Sequence, residues 1–143
     1  MGDNWRFFEL VVHSDSRGCL VALEENDTIP FEIKRIFYIY GADGCKRGCH
    51  AHMNAEEFVV CVKGSCTFVL DDGKSREKIL LSQPAHGLMI QKMVWIEMED
   101  FTADCVLLVL CNKRYQETHS LNTYDSFLQT IKELERGKYD CIL

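Results

Sequence analysis

The sequence predicts a mostly β domain, a small antiparallel barrel or sandwich closed by one C-terminal helix. Three observations carry that expectation. Short runs rich in valine, isoleucine, phenylalanine and tyrosine follow one another at close spacing. Glycine and acidic–glycine pairs punctuate several of them, with no helical stretch in between. Near the end the apolar spacing changes to that of a single helical face.

In chain order the runs are WRFFELVV, GCLVALEE, IKRIFYIY, RGCHAHM, EFVVCVKG, SCTFVLDDG, REKILLS, GLMIQKMVWIEM and DCVLLVLC. The DDGK stretch at Asp71 to Lys74 is a hairpin signal, because Asp72-Gly73 suits the positive φ of a tight turn. Gly64-Ser65 reads as another short connection. DCVLLVLC is apolar at nearly every position, which predicts burial of both faces, inside the domain or at a subunit contact. In TYDSFLQTIKELERG, Phe127, Ile131 and Leu134 fall at i, i+4 and i+7, which predicts a helix over about 123–137 packed on the sheet. Asp125 complements the positive start of that helix and Gly137 suits its end.

At 143 residues the chain is read as one domain, 1–143, large enough for a single core. The hydrophobic share of 47% and charged share of 27% are those of a globular protein rather than a disordered one. A net charge of −6 argues against a general nucleic-acid binder, which needs a broad basic surface. Eight cysteines are too few for a small disulfide scaffold. Cys61, Cys66, Cys105 and Cys111 lie in apolar runs, where a thiol behaves as a small hydrophobe. Cys45 and Cys49 form the closest pair, a weak metal signal. MGDNWRFFEL lacks the basic start and long apolar stretch of a secretory signal, and no run approaches membrane-spanning length. The terminal DCIL is not a prenylation signal, because Cys141 is third from the end. A reducing cytoplasm is the expected home, with no membrane and no nucleic-acid partner.

The stretch GCKRGCHAHMNAEEFVVCVKG concentrates the chemistry. Alternate strand residues share a face, so His50 and His52 point together while Ala51 turns away. Metal ligation, proton transfer and simple hydrogen bonding in a polar barrel mouth all accept imidazoles at this spacing. The wider pattern is Gly44, five residues, His50-Ala51-His52, four residues, Glu57, six residues, Gly64. It resembles the first signature motif of the cupin superfamily, which implies a jelly-roll β-barrel with the histidines converging inside. Metal-binding cupins add a histidine from a second motif. Here GLMIQKMVWIEMEDF places Met98 at that position, and a thioether suits hard divalent ions poorly. The reading is therefore no metal and no cofactor.

Taken together, FEIKRIFYIYG, RGCHAH, VKGSCTFVLDDGKSREKILL, GLMIQKMVWIEM and DCVLLVL resemble the sugar-nucleotide 3,4-ketoisomerases over about residues 10–130. That resemblance implies metal-independent movement of the ketone of dTDP-4-keto-6-deoxyglucose from C4 to C3, feeding deoxyaminosugars for surface polysaccharides. It also implies a homodimer with exchanged amino-terminal strands. His50 and His52 match the family's catalytic histidines, with His50 the candidate carbon base, and Tyr38 matches an active-site tyrosine. For the diphosphate, Arg17, Arg35 and Arg47 are the candidate ligands, because a guanidinium offers paired donors. Strand parity sets Arg35 opposite Tyr38 and Arg47 opposite His50, unless a bulge at Gly48 intervenes. Three positions depart from the family: Met53, Glu57 and Ile96. Parity predicts that Ile96 lines the sugar pocket. The competing readings are a metal-dependent cupin using His50, His52 and Glu57, a non-catalytic sugar-nucleotide binder, and a 3,5-epimerase.

Overall fold

Alternating buried and exposed side chains divide the chain into short strands, as a computed structural model covering residues 3–137 describes; Cys141 lies outside that range. The strands are β1 (Trp5–Glu9), β2 (His13–Asp15), β3 (Gly18–Leu20), β4 (Arg35–Tyr40), β5 (Arg47–His52) and β6 (Glu57–Lys63). They continue as β7 (Cys66–Asp71), β8 (Arg76–Leu81), β9 (His86–Ile90), β10 (Trp95–Glu99), β11 (Val106–Cys111) and β12 (Ser120–Leu121). One helix, α1 (Tyr124–Glu135), follows.

Two five-stranded antiparallel sheets face each other, ordered β1-β9-β6-β11-β4 and β12-β5-β10-β7-β8. Among the described residues no hydrogen-bonded pairing joins one sheet to the other. The result is an open jelly-roll sandwich rather than a closed barrel. Val59, Leu88, Leu107 and Val109 of the first sheet meet Phe68, Leu70, Leu81 and Ile96 of the second in the central core. A second cluster seals the first sheet's outer face, where Ile29 and Phe31 cover Phe58, Val60, Met89 and Leu110.

Turn chemistry follows the sequence. Strands β7 and β8 form a hairpin through Asp72–Ser75, with Gly73 at φ +90°. Gly64-Ser65 instead carries the chain from the first sheet to the second. A Cβ at Gly64 would lie 2.4 Å from the Thr102 hydroxyl, so only glycine fits there. GCLVALEE keeps just Gly18–Leu20 as strand, paired with β2 in an exposed hairpin. GLMIQKMVWIEM divides into β9 and β10, broken by Met93 at φ +59°.

The helix begins at Thr123, whose side chain accepts from the Ser126 amide. Phe127 is fully buried against Trp95 and Ala51, with Ile131 and Leu134 beside it, as the spacing predicted. This packing lies on the outer face of β5, opposite the face that carries the histidines.

Candidate active site

One wall of the site depends on a single irregularity in β5. Ile96 of β10 pairs with His50, but Glu97 pairs with Gly48, leaving Cys49 as an extra residue. Gly48 sits at φ +79° and Cys49 at φ +58°, the backbone of a β-bulge. A Cβ on Gly48 would stand 2.9 Å from the Ile96 carbonyl oxygen, so glycine is needed there. The bulge shifts the alternation, and Arg47, His50 and His52 all line one cavity of about 780 Å³. That size is ordinary for a small-molecule site.

The two imidazole centroids are 4.5 Å apart and their planes tilted by 43°. His52 is buried. Its Nδ1 is 3.0 Å from the Ser120 hydroxyl, and its Nε2 is 3.4 Å from a carboxylate oxygen of Glu57, itself buried. That second pair is close enough for charge attraction but off the alignment of a hydrogen bond, so Nε2 has no hydrogen-bond partner among the described residues. His50 differs. Burial pushes its pKa below the ordinary imidazole value, and the neighbouring His52 adds to the effect, while Glu57 and the Gly48 backbone oppose it. The geometry therefore supplies one imidazole whose proton affinity is lowered and a second held between a hydroxyl and a carboxylate.

Arg35 enters the cavity from β4 with Phe37 and Ile39. Its guanidinium lies 5.3 Å from the Phe37 ring centre and 5.6 Å from that of Tyr115. Its buried Nε has no hydrogen-bond partner among the described residues. Lys46, by contrast, is held outside by Glu97 at 2.9 Å.

Two candidates are not brought to this site. Tyr38 alternates with Arg35 and Phe37, so it lies on the outer face of β4, 65% exposed and stacked with Tyr40. Arg17 sits at the tip of the β2–β3 hairpin, paired with Asp15 in solvent. Ile96 is inward but belongs to the central core, and Met98 is the residue of β10 that lines the cavity. Met53 packs near α1.

The far wall was not foreseen. Tyr115, Gln116, Thr118, Ser120 and Asn122 come from the polar connection between β11 and α1, which contains a 3₁₀ turn, Tyr115–Glu117. No apolar period marks this stretch; the only hint was polar side chains dense between a buried strand and a helix. Ligand atoms of three residues lying within 4.8 Å of one another occur elsewhere among the described residues, not at the histidines with Glu57.

Comparison with known proteins agrees with this architecture. The family model described as "FdtA: WxcM-like, C-terminal" matches residues 3–132. A TDP-4-oxo-6-deoxy-alpha-D-glucose-3,4-oxoisomerase of Aneurinibacillus thermoaerophilus is 47% identical over 125 residues, covering 87% of this chain and 90% of that protein. A 3,4-ketoisomerase from Helicobacter canadensis superimposes with a TM-score of 0.87 at 40% identity, over 90% of this chain and 98% of that one. QdtA, a sugar 3,4-ketoisomerase from Thermoanaerobacterium thermosaccharolyticum solved with TDP, gives a TM-score of 0.89 at 36% identity, over 94% and 98%.

Proposed function

This chain belongs to the FdtA family of WxcM-like C-terminal domains, and from that membership we propose that it moves the ketone of a TDP-linked 4-keto-6-deoxy sugar from C4 to C3. It is an isomerase, and the neutral His50 beside the Glu57-facing His52 carries the mechanistic reading. His50 takes the C3 proton, and the C–H electrons form the C3–C4 double bond. The C4 carbonyl oxygen becomes an enolate and receives a proton from His52. The proton on His50 exchanges with solvent, and protonation of C4 from His50, with loss of the C3 hydroxyl proton to His52, leaves the ketone at C3. Atoms balance, and both imidazoles end as they began. General acid–base catalysis is most effective when the catalyst's pKa lies near the working pH, which is why imidazole is the side chain used most often.

The test is incubation of dTDP-4-keto-6-deoxyglucose with the protein in heavy water, followed by NMR. A 3-keto product carrying deuterium at C4 is expected. Binding with neither a 3-keto product nor deuterium in the sugar would reduce the protein to a sugar-nucleotide binder.

A pH dependence follows. His50 accepts the carbon proton only when neutral, and its pKa lies below the usual value for imidazole, about 6.5. The acid limb of kcat/KM is therefore expected below that pH, with activity falling as His50 protonates. Glu57→Gln removes a charge that raises the His50 pKa, so the limb should move to still lower pH. A limb that moves upward in this variant would contradict the assignment.

Arg35 and Arg47 are read as diphosphate ligands, since both line the cavity and neither has a carboxylate partner among the ion pairs of the described residues. Arg47→Ala is expected to weaken TDP binding by about 2 kcal/mol, the scale of a charge-assisted hydrogen bond. Calorimetry measures this, and an unchanged affinity would remove Arg47 from the site.

The active form is read as a homodimer. Val11, Val12 and Leu20 are exposed along the β2–β3 region, and Ile36, Tyr38 and Tyr40 form an apolar stripe on edge strand β4. In such an assembly the hairpin can carry Arg17 to the cavity of a second copy. Co-expressing Arg17→Ala with His50→Ala chains should then regenerate part of the activity, because mixed dimers contain one intact site. A monomeric mass by light scattering would end this reading. The free thiols among the described residues fit a reducing cytoplasm.

A further inference from the structure

Strand β6 has a second cluster at its other end. Glu57 begins the strand at the histidine cavity, and Cys61 lies four residues on, about 13 Å away at strand rise. There Cys61 meets Cys105, which just precedes β11, with the two sulfurs 3.6 Å apart. Cys66, the first residue of β7, completes the group, and all three sulfurs lie within 4.8 Å of one another. Each side chain is buried.

Two sheets contribute, Cys61 and Cys105 from the side of the first and Cys66 from the second. The loops that close this end are tied together. The Ser65 amide donates to the Thr102 hydroxyl, the Thr102 amide to the Ser65 carbonyl, and the Cys105 amide to the Thr102 carbonyl. Gly64 is locked into the same junction, since a Cβ there would stand 2.8 Å from the Cys105 Cα. The sulfurs are thus held by backbone that has little room to move.

The electrostatic surroundings favour a cation. The Cys61 thiol lies 3.2 Å from the Lys63 carbonyl oxygen and 3.4 Å from that of Gly64, both acceptors. The Asp104 carboxylate lies at the same junction, accepting from the Thr102 hydroxyl at 2.8 Å. A positive ion among the sulfurs would face these oxygens favourably. Three thiolates about 2.3 Å from one ion stand roughly 3.8–4.0 Å apart. The observed separations require only small side-chain movements to reach this.

We propose that Cys61, Cys66 and Cys105 form a buried, three-thiolate structural site for a thiophilic d¹⁰ cation of the Zn²⁺ or Cu⁺ class, joining the two sheets at the end remote from the histidines. Soft sulfur ligands select such ions over Mg²⁺ or Ca²⁺. The ion takes no part in the keto transfer. Its binding stabilises the fold by mass action.

The experiment starts from the full chain with the other surface and terminal thiols removed (Cys19→Ser, Cys45→Ser, Cys49→Ser, Cys141→Ser). Zn²⁺ and, anaerobically, Cu⁺ are titrated in separate arms against a chromophoric chelator, with Cd²⁺ used to read the thiolate charge-transfer band. One equivalent bound in at least one arm, with a Tm that rises with ion concentration, is expected. Cys66→Ser and Cys105→Ala should each weaken that affinity by more than about 100-fold, since loss of a direct ligand exceeds the usual cost of losing an outer partner. Circular dichroism identifies which of the two is folded, and either one suffices. Failure of both ions to bind stoichiometrically, or full affinity retained in a folded variant, overturns the proposal.

Discussion

Replacing His50 with alanine is expected to lower turnover by about 10²–10⁴-fold, the usual contribution of a general base. The fold should survive. The backbone pairing of His50 with Ile96 does not depend on the imidazole, and the ring lies against His52 in the cavity rather than in a hydrophobic cluster. TDP affinity should change little, because the cations read as diphosphate ligands remain. NMR-monitored conversion gives kcat, and calorimetry gives binding, so loss of chemistry separates from loss of substrate. His50→Asn keeps much of the bulk and should be as slow. Turnover near that of the unaltered protein in either variant would rule out His50 as the carbon base.

Phe127→Ala should produce the largest loss of stability. Phe127 is fully buried, with its ring centre 6.0 Å from that of Trp95 and 5.9 Å from that of Tyr124. Truncating a core phenylalanine costs about 3–5 kcal/mol, from lost transfer energy and the cavity left behind. Against a total stability of roughly 5–15 kcal/mol this is a large fraction. For a chain of this length it corresponds to a fall in Tm of roughly 10–20 °C. Calorimetry measures it. At low temperature the isomerase activity should persist, because α1 covers the face of β5 away from the histidines. A Tm within about 2 °C of the parent would show that the helix contributes little.

What the sequence revealed follows from the range of each physical rule. Side-chain alternation is local, so His50 and His52 could be assigned to one face without knowledge of the fold. The same rule set Tyr38 and Arg35 on opposite faces of β4, and the structure puts Arg35 in the cavity and Tyr38 outside. There the family resemblance had favoured Tyr38 against the parity of its own strand. Arg47 required a bulge, and Gly48 gave a visible cue for one. Ile96 was placed inward correctly, but parity cannot tell the core from the cavity, which depends on what the opposite sheet presents. The helix was legible from Phe127, Ile131 and Leu134 because amphipathic spacing is also local. Closure was not: whether strands form a barrel or two facing sheets depends on pairings between distant segments. The wall built from residues 113–122 escaped for a related reason. Polar residues without a period carry no signal until packing brings them to a site.

That connection has a consequence for how such proteins diversify. Between Lys113 and His119 none of the side chains is fully buried, yet Tyr115, Gln116 and Thr118 border the cavity. Substitutions there leave no cavity in the core. The stretch is thus where cavity-lining contacts can be exchanged at little cost in stability, with the paired histidines of β5 untouched.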